Sequence, residues 1–167
     1  IPTARHGGDL LGMRQHLDYV RDLGFTMIWP TPLLENNQSA YSYHGYALTD
    51  YYKIDARFGS NDDFRHYVRE ANARGVGVIH DVVLNHIGDG HWWMKDMPAK
   101  DWLNDPESRE LTNNQHTAMQ DIHVAPEERE RFLKGWFVPS MPDLNQNNPQ
   151  VARYLIQNSI WWVEYAH

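Results

Sequence analysis

Cysteine is absent from these 167 residues, which excludes disulfides and thiolate metal sites and leaves the redox compartment open. No apolar run approaches the roughly 20 residues that span a bilayer, so no membrane partner is expected. The opening stretch IPTARHGGDL lacks the charged-then-apolar layout of a signal peptide. Basic side chains are the minority charge: 15 Lys and Arg stand against 22 Asp and Glu, a formal net charge of -7. A phosphate backbone wants a basic face, so nucleic acid is set aside as a partner. What the chain does have is apolar and aromatic mass. Hydrophobic residues make up 41% and aromatic residues 13%, enough for a folded core. Seven tryptophans and nine tyrosines supply flat rings that either pack a core or stack on flat ligand faces, sugars included.

Two segments share one grammar. In LLGMRQHLDYVRDLGFTMIWPTP, Met13, Leu17, Val20 and Leu23 recur at helical spacing, Gly24 suits a helix stop, and 25–29 is a short apolar strand. In SNDDFRHYVREANARGVGVIHDVVLNH, Ser60 and Asp63 form a capping-box start. Phe64, Tyr67, Val68 and Ala71 make the apolar stripe there, Gly75 the stop and 76–84 the strand. That strand is almost continuously apolar, as expected where both sheet faces are covered. Helix, glycine, strand and loop, repeated, signals a parallel α/β fold.

The period vanishes over 87–146, an excursion rich in Trp, Asp, Asn and Pro and too long for an ordinary connection. It reads as a small subdomain beside a ligand site, with Trp92, Trp93, Trp102 and Trp136 in its core and EERER as a solvated helix face. A helix resumes at Asn148 and Pro149, with Val151, Leu155, Ile156, Ile160 and Val163 as its expected buried face. A closed eight-fold barrel needs roughly 250 residues. The chain therefore reads as an internal piece of a larger protein.

The run HDVVLNH at 80–86 poses the chemical question, because an unpaired buried carboxylate is costly. Strand alternation puts Ile79, Asp81 and Val83 on one face and His80 and Val82 on the other. Asp81 then points toward the strand ends, where α/β barrels keep their functional residues, while His80 packs in the interlayer. Asp50, Asp55 and Asp63 read as turn and cap residues.

Four ordered motifs, HGGDLLGM, YHGYALTDYYKIDARFGSNDDF, GVGVIHDVVLNH and MPDLNQ, resemble the α-amylase family of glycoside hydrolases, in wording nearest its neopullulanase and cyclomaltodextrinase branch. The resemblance implies an α/β fold: part of a TIM (β/α)8 barrel with a domain B insertion after strand 3. Barrel would occupy 1–86, domain B 87–147 and barrel helix 3 148–167. It also implies a retaining α-glucan hydrolase acting on starch, cyclodextrins or pullulan, its partner an α-glucan oligosaccharide or polysaccharide. Tyr46 would stack on the sugar, His86 would bind a hydroxyl, and His44 would line the same subsite. Asp81 would support catalysis by holding an arginine outside these residues. The nucleophile and acid/base, which retaining chemistry needs about 5–5.5 Å apart, have no motif in the chain, so it is expected to be inactive alone. Asn85 and Asp143 match calcium-binding positions, and oxygen ligands suit that hard cation. Gly7 and Asp9 would contribute to a second calcium site whose other ligands precede residue 1. A secreted or periplasmic location suits such an enzyme.

Two alternatives stand beside this reading. One is a non-catalytic sugar-binding relative that keeps the pocket and lacks the carboxylates. The other is a metal-dependent barrel hydrolase using His44, Asp81, His86 and His91, disfavoured because no HxH pair occurs.

Overall fold

The computed structural model describes residues 7–40, 42–114 and 116–167. Asp9 opens the first helix by accepting the Gly12 N–H at 2.7 Å. The stretch expected as one helix is two, α1 (Leu10–Gln15) and α2 (Leu17–Asp22), because His16 leaves helical geometry at φ -107°, ψ 9°. Leu23, expected in the apolar stripe, is exposed. Gly24 ends the unit at φ +86°, a left-handed turn that suits glycine.

Next come β1 (Met27–Ile28), β2 (Leu34–Glu35) and β3 (Asp50–Ile54). Helix α3 (Asn61–Ala73) starts with the expected capping box between Ser60 and Asp63 and buries Phe64, Tyr67 and Ala71. Strand β4 (Gly77–Val78) then pairs with β1 in parallel, Met27 opposite Gly77 and Ile28 opposite Val78. The parallel pairing matches the α/β grammar, but the strands are far shorter than 25–29 and 76–84. Their expected cover on both faces is also missing: Met27, Trp29, Ile79, Val82 and Leu84 are exposed. A two-stranded pair has no further strands beside it to bury those side chains. The other pair, β2 with β3, is antiparallel.

The excursion leaves and re-enters at one place. Ile87 N–H donates to the Pro142 carbonyl at 3.0 Å, and Leu144 N–H to the Asn85 carbonyl at 2.9 Å. Within it lie a 3₁₀ turn (Trp92–Met94), α4 (Thr117–Gln120) and α5 (Pro126–Lys134). Trp93, Trp102 and Trp136 are buried there, and Trp136 Nε1 donates to the Asn104 carbonyl at 2.7 Å. Trp92, expected with them, is half exposed. Helix α5 buries no residue, in keeping with a solvated EERER face.

Helix α6 (Pro149–Ala166) is capped by Asn148, whose side chain accepts from Gln150 N–H. Its buried face is Val151, Leu155, Asn158, Trp162 and Ala166; Ile156, Ile160 and Val163 are exposed. Two polar groups set that rotation. Asn158 Nδ2 and Trp162 Nε1 both donate to the Tyr51 carbonyl, at 2.7 and 2.8 Å, which locks this face onto β3.

Candidate functional site

The loop between β2 and β3 and the segment after β4 meet at Tyr46. Gly45 makes the approach possible: its φ is +88°, and a Cβ there would sit 2.5 Å from the Pro32 carbonyl oxygen. Beneath the loop, Asp55 has the turn role read for it, accepting Arg57 N–H, and is also buried, with the Arg57 guanidinium and the Asn36 N–H on its carboxylate. Asp50 accepts from Tyr52 N–H, the turn role read for it.

Asp81 receives two donors on one oxygen, Trp29 Nε1 at 3.1 Å and the Tyr46 hydroxyl at 3.3 Å. No cation pairs with it among the described residues. His80 faces the other way, its ring between Phe64 and Trp162, and burial lowers its pKa to about 4. The Tyr46 hydroxyl is pushed up by partial burial and by the Asp81 charge.

Both site histidines are tied to Tyr46. Its N–H donates to His44 Nδ1 at 2.9 Å, so His44 accepts there. His86 Nε2 lies 3.0 Å from its carbonyl oxygen, which can only accept, so the proton sits on His86 Nε2. Burial lowers the pKa of both imidazoles, favouring the neutral ring. The face of His86 stacks on Phe137 with centroids 5.8 Å apart and planes 9° apart. Asp81, Tyr46, His44 and His86 thus form one constellation. His91 stands apart in the aromatic core, its Nδ1 accepting Trp93 N–H at 3.1 Å, so the four-ligand metal alternative loses a member.

Asp143 sits behind His86, across an antiparallel bridge from it. Asn85 Nδ2 donates to its Oδ1 at 3.0 Å and Asn104 Nδ2 to its Oδ2 at 2.8 Å. Burial raises the Asp143 carboxyl to about 7 against the pull of these two amides. The set is one carboxylate and two carboxamides, all oxygen-bearing, which suits a hard cation. As arranged, each amide presents its nitrogen, so a cation here requires both amides to turn. Among the described residues no group of three His, Asp or Glu side chains is placed to hold a metal. Asp9 is occupied as a helix cap, and Gly7 lies two residues before it at φ +81°. Residues 1–6 lie outside the described part.

Trp29, Asn104 and Phe137 are neighbours that sequence reading missed. Trp29 closes an apolar strand and Phe137 sits in an aperiodic stretch, so neither carries a pattern. Asn104 declares itself only through contact with Asp143, 39 residues on.

The family model for the alpha amylase catalytic domain matches residues 2–166. The chain is 34% identical to a cyclomaltodextrinase of Geobacillus thermopakistaniensis (strain MAS1) over 162 residues, covering 97% of this chain and 26% of that protein. It is likewise 34% identical to neopullulanase 2 of Thermoactinomyces vulgaris over 167 residues, 95% of this chain and 26% of that one. An Anoxybacillus α-amylase structure superposes with a TM-score of 0.80 at 40% identity, covering 99% of this chain and 33% of that one. For the Geobacillus thermoleovorans α-amylase complexed with acarbose the values are 0.79, 36%, 99% and 33%. The chain therefore spans about a quarter of the length of these curated relatives. A match over nearly every residue, with the four motifs in order and the Tyr46 constellation assembled, places this chain in the α-amylase catalytic domain family.

Proposed function

We propose that this chain is the substrate-holding front part of an α-glucan hydrolase catalytic domain: barrel over 1–86, domain B insertion over 87–147 and barrel helix 3 over 148–167. The Tyr46–Asp81–His86 constellation carries the reading. Tyr46 offers a ring face to a pyranose, and His86 and His44 flank it with neutral imidazoles that bind hydroxyls. Among the described residues Asp81 presents a carboxylate at the strand end to two neutral donors, Trp29 and Tyr46, which leaves it suited to orient a cationic side chain. The whole reaction is the retaining cleavage of an α-glucosidic bond, and its nucleophile and acid/base are not among the motifs of this chain. Asp143, Asn85 and Asn104 would hold a structural calcium that braces the loop behind His86, with Gly7 and Asp9 as a second, outer calcium position.

The test is direct binding. Titration of the chain with maltoheptaose, followed by ligand-observed NMR, is expected to show saturable binding that Tyr46→Ala weakens at least tenfold. A wild-type chain that binds no maltooligosaccharide at millimolar concentration ends the reading.

A further inference from the structure

Asp89–Gly90 is the only Asp–Gly pair in the sequence, and both residues are exposed. They form the corner of a turn that the His91 N–H closes on the Gly88 carbonyl at 3.0 Å. Among the described residues no hydrogen bond or ion pair engages the Asp89 carboxylate. The Gly90 N–H is loosely held as well. Its partner is Gln38 Oε1 at 3.4 Å, beyond the usual range of about 2.7–3.2 Å. A carboxyl carbon and the backbone nitrogen of the next residue thus stand together with little to restrain either. Glycine carries no side chain to shield that nitrogen.

Packing fixes the glycine in place. A Cβ at residue 90 would sit 3.0 Å from Gln38 Cβ and 3.3 Å from Thr49 Cγ2. A Cβ on Gly88 would lie 2.4 Å from the Ala47 carbonyl oxygen, so the turn is pressed against the loop that carries Tyr46. The turn also holds the excursion. Asp89 N–H donates to the Ser140 carbonyl at 3.0 Å, and Gly88 N–H to the Leu48 carbonyl at 2.7 Å.

We propose that Asp89–Gly90 is a self-modification site, at which the backbone reroutes through the aspartate side chain. The Gly90 nitrogen attacks Cγ of the protonated Asp89 carboxyl. The carboxyl hydroxyl leaves with the amide proton as water, and a five-membered succinimide forms. Water then opens the ring at either carbonyl. Opening at Cγ restores aspartate. Opening at the α-carbonyl leaves Gly90 bonded to Cγ and frees the α-carboxylate, an isoaspartate of unchanged mass. That product has one extra backbone methylene, so the Gly88–His91 turn and the tie to Ser140 lose their register and the base of the excursion loosens.

The test ages the wild-type chain, Asp89→Ser and Asp89→Glu in mildly acidic buffer, where a larger share of carboxyl groups is protonated. Protein L-isoaspartate methyltransferase with radiolabelled S-adenosylmethionine counts the isoaspartates, and peptide mapping places them. Glutamate would have to close a six-membered ring, so that variant keeps the charge while slowing the reaction. A urea-unfolded wild-type sample confirms that the label is detected. The expected result is label that grows with time in the folded wild-type chain to a several-fold excess over both variants. It should map to residues 89–90 and accompany a fall in melting temperature. Label that grows in the unfolded sample but not in the folded chain overturns the proposal. Equal label in the variants, or label that maps elsewhere, does the same. Conversion at residue 89 with an unchanged melting temperature overturns the role given to the turn in holding the excursion.

Discussion

Arg57 grips the buried carboxylate of Asp55 at both oxygens, Nε to Oδ1 at 2.7 Å and Nη2 to Oδ2 at 2.8 Å. The same Nη2 donates to the carbonyls of Asn36, at 2.6 Å, and Ser42, at 3.2 Å. The Asn36 N–H in turn donates to Asp55 at 2.9 Å. An ion pair two residues apart in sequence thereby staples the loop that carries His44 and Tyr46 onto the end of β3.

Breaking one partner of such a pair leaves the other buried and uncompensated. Asp55 is only 2% exposed, so Arg57→Ala is expected to destabilise the fold by about 3–5 kcal/mol. Urea unfolding followed by circular dichroism measures it. Burial alone would raise the Asp55 pKa, but the Arg57 and backbone hydrogen bonds outweigh it and hold the group below its usual 3.8. This contribution is present above 3.8 and is lost as pH falls through the lower folded value. An unchanged urea midpoint in Arg57→Ala would show the staple to be dispensable.

Gly45→Ala should damage both fold and site. The left-handed φ costs about 1–2 kcal/mol for a residue with a Cβ, and the 2.5 Å approach to the Pro32 carbonyl forces the backbone to shift as well. Maltoheptaose affinity is expected to drop with stability, because Tyr46 is the next residue. A variant with wild-type melting temperature and affinity would contradict this account of the turn.

Acid should unfold the protein through two histidines. His80 Nε2 and His91 Nε2 are buried with no hydrogen-bond partner among the described residues, and burial lowers their pKa values from 6.5 to about 4 and about 3. Both are depressed, so the stability they allow is present above 6.5 and is lost as pH falls toward those values. Each group contributes a slope of up to about 1.4 kcal/mol per pH unit in that window. His80→Leu should flatten the decline between pH 6 and 4 by about that amount. Parallel pH profiles for variant and wild type would exclude His80 as a cause.

Calcium should raise the melting temperature and a chelator should reverse the rise. Free calcium at a hundredfold over its dissociation constant adds about 2.7 kcal/mol. Asp143→Asn is expected to abolish the response and Asn104→Leu to reduce it, in thermal scans read at 280 nm. A wild-type melting temperature that ignores calcium removes the metal from the proposed function.

Local signals were legible in the sequence wherever one short segment decides the outcome. The Ser60 and Asp63 cap, the glycine stops at Gly24 and Gly75, and the Asn148 and Pro149 start all depend on neighbours within four residues. Decisions made by distant partners were not legible. The face of α6 was misread because Asn158 and Trp162 seek a carbonyl more than a hundred residues away, which outweighs exposed isoleucines. Asp55 does serve its turn, accepting Arg57 N–H at 2.9 Å, but its burial was not legible, because the Asn36 N–H that reaches it lies 19 residues away. Asp81, Tyr46 and His86 stand in motifs that the sequence displays, and the structure brings them together; Trp29 and Phe137 join them only through folding.

The hydrogen bonds that tie Ile87 to Pro142 and Asn85 to Leu144 have a consequence for how such a chain can change over time. With the two ends held together, the entropy of closing the excursion grows only logarithmically, and doubling its length costs about 0.6 kcal/mol more. Insertions and replacements between those ends therefore leave the paired strands and the helices packed on them almost undisturbed, while they redraw the surface beside His86. Selection can reshape the surface around His86 by editing one module, without renegotiating the fold that presents it.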